Sequence, residues 1–307
     1  GVVACSAICW CDLRRHYRRI NKGGIVIPSP FGDIEYVTGG TGLPVLVIHG
    51  SGGGYDQGEL ISRVILGDSF RWIAPSRFGY LKSALPQHAS WDDQAHAYAC
   101  LLDHLKISQV GVVAVSHGGP SALLFCILHP DRVSSLTLLS CGVATSASAA
   151  QETANRKGDL LKWIYQYDWV YWWVSKIFQR SFLALMGASS GVVSRLSAVQ
   201  RRDLGQLLDF MNPVVPRAPG VTFDNSEALP GARILAIQSP TLIVHARDDS
   251  LQLYHNAEFA AAKISGARLV SFAEGGHVVM LVEQAEIQLL VQTHLREHFG
   301  IGLEGGI

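Results

Sequence analysis

The sequence predicts an α/β fold: a mainly parallel sheet flanked by helices, with a long helical segment inserted late in the sheet. Three observations carry this. Short apolar runs, each long enough for one buried strand, alternate with stretches of helical character. One of these runs, Val110 to Val115, stops at Ser116 and turns at once into a helix. About a hundred residues separate the run ending near Ser140 from the one starting near Thr241, far more than an ordinary crossover needs.

Along the chain, Val2 to Trp10 is apolar and is followed by Arg14, Arg15, His16, Arg18, Arg19 and Lys22. Nine residues are too few to span a bilayer. Residues 1–24 therefore read either as the end of a longer anchor or signal segment, giving membrane association, or as a short amphipathic helix lying on the domain. Cys9 and Cys11 beside the basic cluster are a weak signal for lipidation. Localisation stays open between cytoplasmic and membrane-anchored.

Ile25 to Ile27 and Asp33 to Thr38 flank a Pro-Ser-Pro-Phe-Gly turn and predict an antiparallel hairpin at a sheet edge. Val45 to Ile48, Trp72 to Ala74, Val110 to Val115, Leu136 to Leu139, Leu242 to Val244 and Leu269 to Phe272 supply the buried strands. Trp91 to Leu105 with a Ser90 cap, Pro120 to His129, Tyr254 to Ile264 and Val279 to His298 supply helices. The core is expected over residues 25–142 and 233–307, with a helical cap over 143–232. Within that cap, Trp163, Tyr167, Trp169, Tyr171, Trp172 and Trp173 crowd a few turns. They are expected to pack the cap against the core and, for some of the tryptophans, to roof an apolar substrate pocket.

Composition narrows the class. Hydrophobic residues make up 48% of the chain and charged residues 16%, as in a globular enzyme rather than a disordered chain. The 25 basic and 25 acidic residues cancel, so nothing points to nucleic acid and the expected partner is a small molecule. Cys5, Cys9 and Cys11 lack zinc spacing, and Cys100, Cys126 and Cys141 lie in apolar segments, so no metal or other cofactor is expected.

The chemistry gathers around Ala114-Val115-Ser116-His117-Gly118. A strand ending in serine before a helix, with small residues two before and two after, is a nucleophile elbow; alanine stands where the first glycine is usual. A serine hydroxyl needs an imidazole to take its proton. His277, in Glu274-Gly275-Gly276-His277 between the last strand and the C-terminal helix, is the candidate base; most other histidines fall within helices. Asp248 and Asp249, just after the preceding strand, are both candidates for the acid that orients it.

In these motifs and their order the chain resembles the α/β-hydrolase superfamily, particularly its capped serine esterases and meta-cleavage-product hydrolases. The resemblance spans about Ile25 to Phe299. It implies Asp249 as the acid, three residues after Ala246, which replaces a common glycine. It implies an oxyanion hole from the amide of His117 and from Ser51 or Gly52, in His49-Gly50-Ser51-Gly52-Gly53-Gly54. Ser76-Arg77-Phe78-Gly79-Tyr80 is similar to the family's Asp-x-Arg-Gly-x-Gly stretch, with Ser76 where aspartate is common and Phe78 as a pocket candidate. The implied activity is acyl transfer to water from a small apolar ester, with a lactone, a vinylogous diketone or slow-turnover ligand reception as alternatives.

Overall fold

The structure is a computed structural model and describes residues 2–299. Gly1 and residues 300–307, included in the expected N-terminal and core segments, lie outside the described residues, as do the side chains of residues 2–4. Eight strands form one sheet in the order β1-β2-β4-β3-β5-β6-β7-β8. They are β1 (Ile25–Ile27), β2 (Ile34–Gly39), β3 (Leu43–Ile48), β4 (Phe70–Pro75), β5 (Val110–Val115), β6 (Val133–Leu139), β7 (Thr241–Ala246) and β8 (Arg268–Phe272). β1 and β2 are antiparallel, β2 joins β4 antiparallel, and every later pairing is parallel.

Strand alternation divides the core between the two faces of the sheet. Val45, Val47, Val113, Val115 and Val244 belong to one buried cluster, whereas Leu46, Ile48, Val112, Ala114 and Ile243 belong to the other. Both faces are covered, which is why these strands read as continuous apolar runs.

The helices are α1 (Val2–Lys22), α2 (Tyr55–Ile65), α3 (Trp91–His104) and α4 (Gly119–Leu128), then α5 (Ala149–Ile164), α6 (Asp168–Lys176), α7 (Gln179–Leu185), α8 (Ser190–Arg195), α9 (Ala198–Met211) and α10 (Ala218–Ser226) between β6 and β7, and finally α11 (His255–Lys263), α12 (Val279–Val282) and α13 (Gln284–His298). Ser90 caps α3 in a reciprocal capping box with Asp93, so the backbone amide of Asp93 is satisfied where the helix begins. The C-terminal helical stretch breaks at Glu283 into α12 and α13. Helix α2 is not legible in sequence: Gly58 lies within it, where Cβ-free packing lets it approach Ala74, and glycine is a poor helix former.

Of the two readings of the N-terminal segment, α1 corresponds to a helix lying on the domain. Tyr17 Oη donates to Asp168 Oδ2 at 2.7 Å, and Asp12 Oδ2 accepts from Trp172 Nε1 at 2.9 Å. The Arg19 guanidinium pairs with Asp56 and donates to the Asn212 carbonyl at 2.5 Å. Among the described residues no helix is long and apolar enough to cross a membrane.

Candidate active site

Tight backbone geometry places Ser116. Its φ is +54°, in the left-handed region that side-chain-bearing residues adopt only at a cost. Gly118 permits the close approach this turn requires, since a Cβ there would lie 2.7 Å from the Ile48 carbonyl oxygen and 2.8 Å from that of His49. Gly118→Ala is therefore expected to destabilise the fold by about 1–3 kcal/mol and to lower the reactivity of Ser116. Urea unfolding and the rate of fluorophosphonate labelling check both parts.

Three side chains from three loops form a continuous line. His277 Nδ1 lies 2.9 Å from Asp249 Oδ2, and His277 Nε2 lies 3.0 Å from Ser116 Oγ. An ionised carboxylate can only accept, so the proton sits on Nδ1 and leaves Nε2 open to the serine hydroxyl. Asp249 is buried, and Oδ1 accepts from the amides of Leu251 and Gln252, both at 2.9 Å. Burial pushes its carboxyl upward, but the His277 charge and hydrogen bond, joined by His245 and the Leu251 amide, outweigh that and hold it below its ordinary value. The neighbouring Asp248 turns elsewhere, accepting from the Gly276 amide at 2.8 Å. The His277 amide donates to the Gly187 carbonyl at 3.1 Å, so the loop between α7 and α8 holds the histidine loop from above.

The family model of the alpha/beta hydrolase fold matches residues 44–284, which include all three side chains. The chain belongs to the alpha/beta hydrolase fold family. An uncharacterized hydrolase, YcgS of Bacillus subtilis (strain 168), is 29% identical over 261 residues, covering 83% of this chain and 91% of that protein. A 2-hydroxymuconate semialdehyde hydrolase of Pseudomonas putida is 30% identical over 271 residues, covering 84% and 89%. Among solved structures, an alpha/beta hydrolase fold protein from Nakamurella multipartita superposes with a TM-score of 0.72 at 26% identity, covering 89% of this chain and 99% of its own.

In this hydrolase the loop after β3 runs beside the serine: a Cβ at Gly50 would stand 3.0 Å from Ser116 Cβ. The loop is pinned by donation from Gly50 N to Gln57 Oε1 at 3.0 Å and from Gly53 N to the Gly50 carbonyl at 3.2 Å. Gly52 N points to Tyr80 Oη at 3.4 Å, whereas Ser51 N makes no hydrogen bond among the described residues and Ser51 lines the cavity over Ser116. His49 ties the loop down from behind. Its Nε2 accepts from Arg77 N at 2.9 Å, so Nδ1 carries the proton and donates to the Gly50 carbonyl at 2.7 Å. Burial first, and then the Arg77 charge, drive its pKa well below that of an ordinary histidine, which keeps the ring neutral.

Two buried ion pairs join the β6–β7 insertion to the elements around this loop, the turn after β4 and the start of α2. Arg77 Nη1 and Nη2 grip Asp224 Oδ1 and Oδ2 at 2.6 and 2.7 Å, and Tyr80 Oη donates to Asp224 Oδ2 at 2.6 Å. Arg217 donates to both oxygens of Asp56, at 3.1 and 2.8 Å, and to the Gly53 carbonyl at 2.6 Å. Asp224→Ala strands a fully buried guanidinium and is expected to cost about 3–5 kcal/mol, read as a lower urea midpoint at unchanged slope. Where the family commonly has aspartate, Ser76 Oγ donates instead to the buried Glu35 Oε2 at 3.0 Å, so a carboxylate from β2 occupies that neighbourhood.

A cavity opens above Ser116, walled by Leu161, Leu183, Leu204, Leu208 and Met211 of the insertion and by Tyr165 at the end of α5. The aromatic candidates lie elsewhere, and this corrects the sequence-based expectation. Trp163 and Trp169 are 54% and 60% exposed. Trp172 is buried against α1 through its bond to Asp12, and Trp173 packs edge-on to Trp172. Phe78 is buried beneath the site, against Phe223. None of the five lines the cavity. The reason is rotational: α6 buries Val170, Tyr171, Trp172 and Ser175, with Trp172 against α1, Trp163 and Trp169 turn outward, and aliphatic faces of α5, α7 and α9 are left for the pocket.

Sequence reasoning missed His245, Gln252, Gln57 and Tyr165. His245 Nε2 donates to the Gln252 carbonyl at 2.7 Å and lies 3.5 Å from Asp249 Oδ2, behind the histidine–aspartate pair. Gln252 also sets its side-chain amide 3.3 Å from His117 Nδ1. The spacing of four residues between His245 and Asp249 was the one readable signal.

Proposed function

We propose that this hydrolase is a serine-dependent enzyme that cleaves an ester-like bond of a small, apolar molecule through an acyl-enzyme. The unbroken line Ser116–His277–Asp249 at hydrogen-bond distances, opening into an aliphatic cavity, carries the reading. His277 Nε2 takes the hydroxyl proton as Ser116 Oγ attacks the carbonyl carbon, and Asp249 stabilises the imidazolium. The developing oxyanion is received by backbone amides of His117 and Ser51; Gly52 is set aside because its amide faces Tyr80. His277 then protonates the leaving oxygen, and a water deprotonated by the same nitrogen releases the acyl group. The β6–β7 insertion serves as a cap that excludes bulk water.

The named relative that acts on 2-hydroxymuconate semialdehyde supports a second reading, hydrolysis of a related carbonyl compound by the same three residues. The test is a chain-length series of p-nitrophenyl esters with mass-spectrometric trapping of the intermediate. Turnover with an acyl adduct on Ser116 is expected. Hydrolysis without any adduct on Ser116, even in rapid quench, overturns the acyl-enzyme mechanism.

A further inference from the structure

We infer that the cavity over Ser116 takes uncharged substrates and rejects those carrying a carboxylate on the acyl chain. This rests on the serine-hydrolase reading above and adds the charge of the substrate to it.

No lysine, arginine, aspartate or glutamate lines the cavity among the described residues. Its walls are largely aliphatic, and most of its polar groups away from the reacting atoms are already engaged. Ser51 Oγ is 3.3 Å from Tyr80 Oη, and Tyr165 Oη donates to Met211 Sδ at 3.0 Å. Asn225 Nδ2 donates one of its two hydrogens to the Val221 carbonyl at 2.7 Å, leaving one N–H beside an oxygen that would repel an anion. Gln57 has its oxygen committed to Gly50 N, so its amide nitrogen remains as a neutral donor.

Two cations on the surrounding elements are committed elsewhere. Arg217 is bound by Asp56 and backbone carbonyls, and Lys157 Nζ donates to Ser250 Oγ at 2.9 Å and to the Ser250 carbonyl at 3.3 Å. The nearby formal charge is the carboxylate of Asp249 behind His277, which repels an anion further. A carboxylate entering this space would lose its hydration with neither a cation nor a row of donors to replace it. By its name, the Pseudomonas putida relative acts on a compound that retains a carboxylate, so the two proteins would differ in substrate charge.

The experiment compares p-nitrophenyl pentanoate, mono-p-nitrophenyl succinate and methyl p-nitrophenyl succinate, which share a leaving group and nearly a shape. The expected kcat/KM for the succinate monoester is at least a hundredfold below that for the pentanoate, with the methyl ester restoring it to within tenfold. A monoester within tenfold of the pentanoate overturns the inference and leaves the hydrolase reading intact. A methyl ester as poor as the monoester also overturns it, because shape and not charge would then decide. Matched fluorophosphonates with pentyl and ω-carboxybutyl chains read the same preference as Ser116 labelling, without turnover. If neither fluorophosphonate labels Ser116 and no ester is cleaved, the serine-hydrolase reading itself falls, and this inference with it.

Discussion

Ser116→Ala is expected to lower kcat on p-nitrophenyl esters by about a millionfold while leaving the urea midpoint within about 0.5 kcal/mol of wild type. The Oγ lies 3.0 Å from His277 Nε2 and is the one hydroxyl so placed among the described residues, so its loss removes the proposed attacking atom together with the proton to be transferred. The residue is 6% exposed, and its hydroxyl makes no structural bond to the backbone among the described residues, so folding has little to lose. Alanine must still adopt the φ of +54°, as serine does, and this strain is common to both proteins. Steady-state rates and denaturation on the same preparation check both halves. Residual turnover above about one per cent of wild type would show that water or another side chain attacks the substrate.

Asp249→Asn is expected to lower kcat by about ten-thousandfold, whereas Asp248→Asn should lower it less than about tenfold. The asymmetry follows from where the donors stand. Oδ1 of Asp249 accepts from the amides of Leu251 and Gln252, so an asparagine must keep its oxygen there and turn its NH2 toward His277 and His245. A donor facing Nδ1 forces the imidazole proton onto Nε2, and the base can no longer accept from Ser116. Among the described residues Asp248 accepts a single hydrogen bond, from Gly276 N, which an asparagine oxygen also accepts. Rates for the two variants at saturating ester, with circular dichroism to verify folding, separate the roles. A larger loss for Asp248→Asn would exchange their assignments.

The sheet was legible because burial on both faces writes each strand as an unbroken apolar run. Val110–Val115 was located to the residue, and the other parallel strands grew by one to three residues at one or both ends. The candidate site was legible in the three side chains of its hydrogen-bonded line, since each stands on a loop that follows a readable strand. His277 and Ser116 were marked by glycine-rich turns and by residue type alone. Asp249 needed the family's register to be preferred over Asp248.

The pocket wall was not legible. Residues Trp163 to Trp173 share one composition whichever way their helices turn, and burial against α1 rather than the cavity depends on contacts 160 positions apart, such as Trp172 with Asp12. Helix α2 was hidden by Gly58, whose presence is explained only by the closeness of Ala74.

The sequence by itself determined the α/β class, the succession of strands and the residue types available for chemistry, because periodicity and turn chemistry are local properties of the chain. The family's register already preferred Asp249 over Asp248, and only the tertiary structure decided which loop amide is left free beside Ser116 and which side chains wall the cavity. Those outcomes depend on how distant elements rotate and pack, and close packing selects one arrangement that no local pattern encodes.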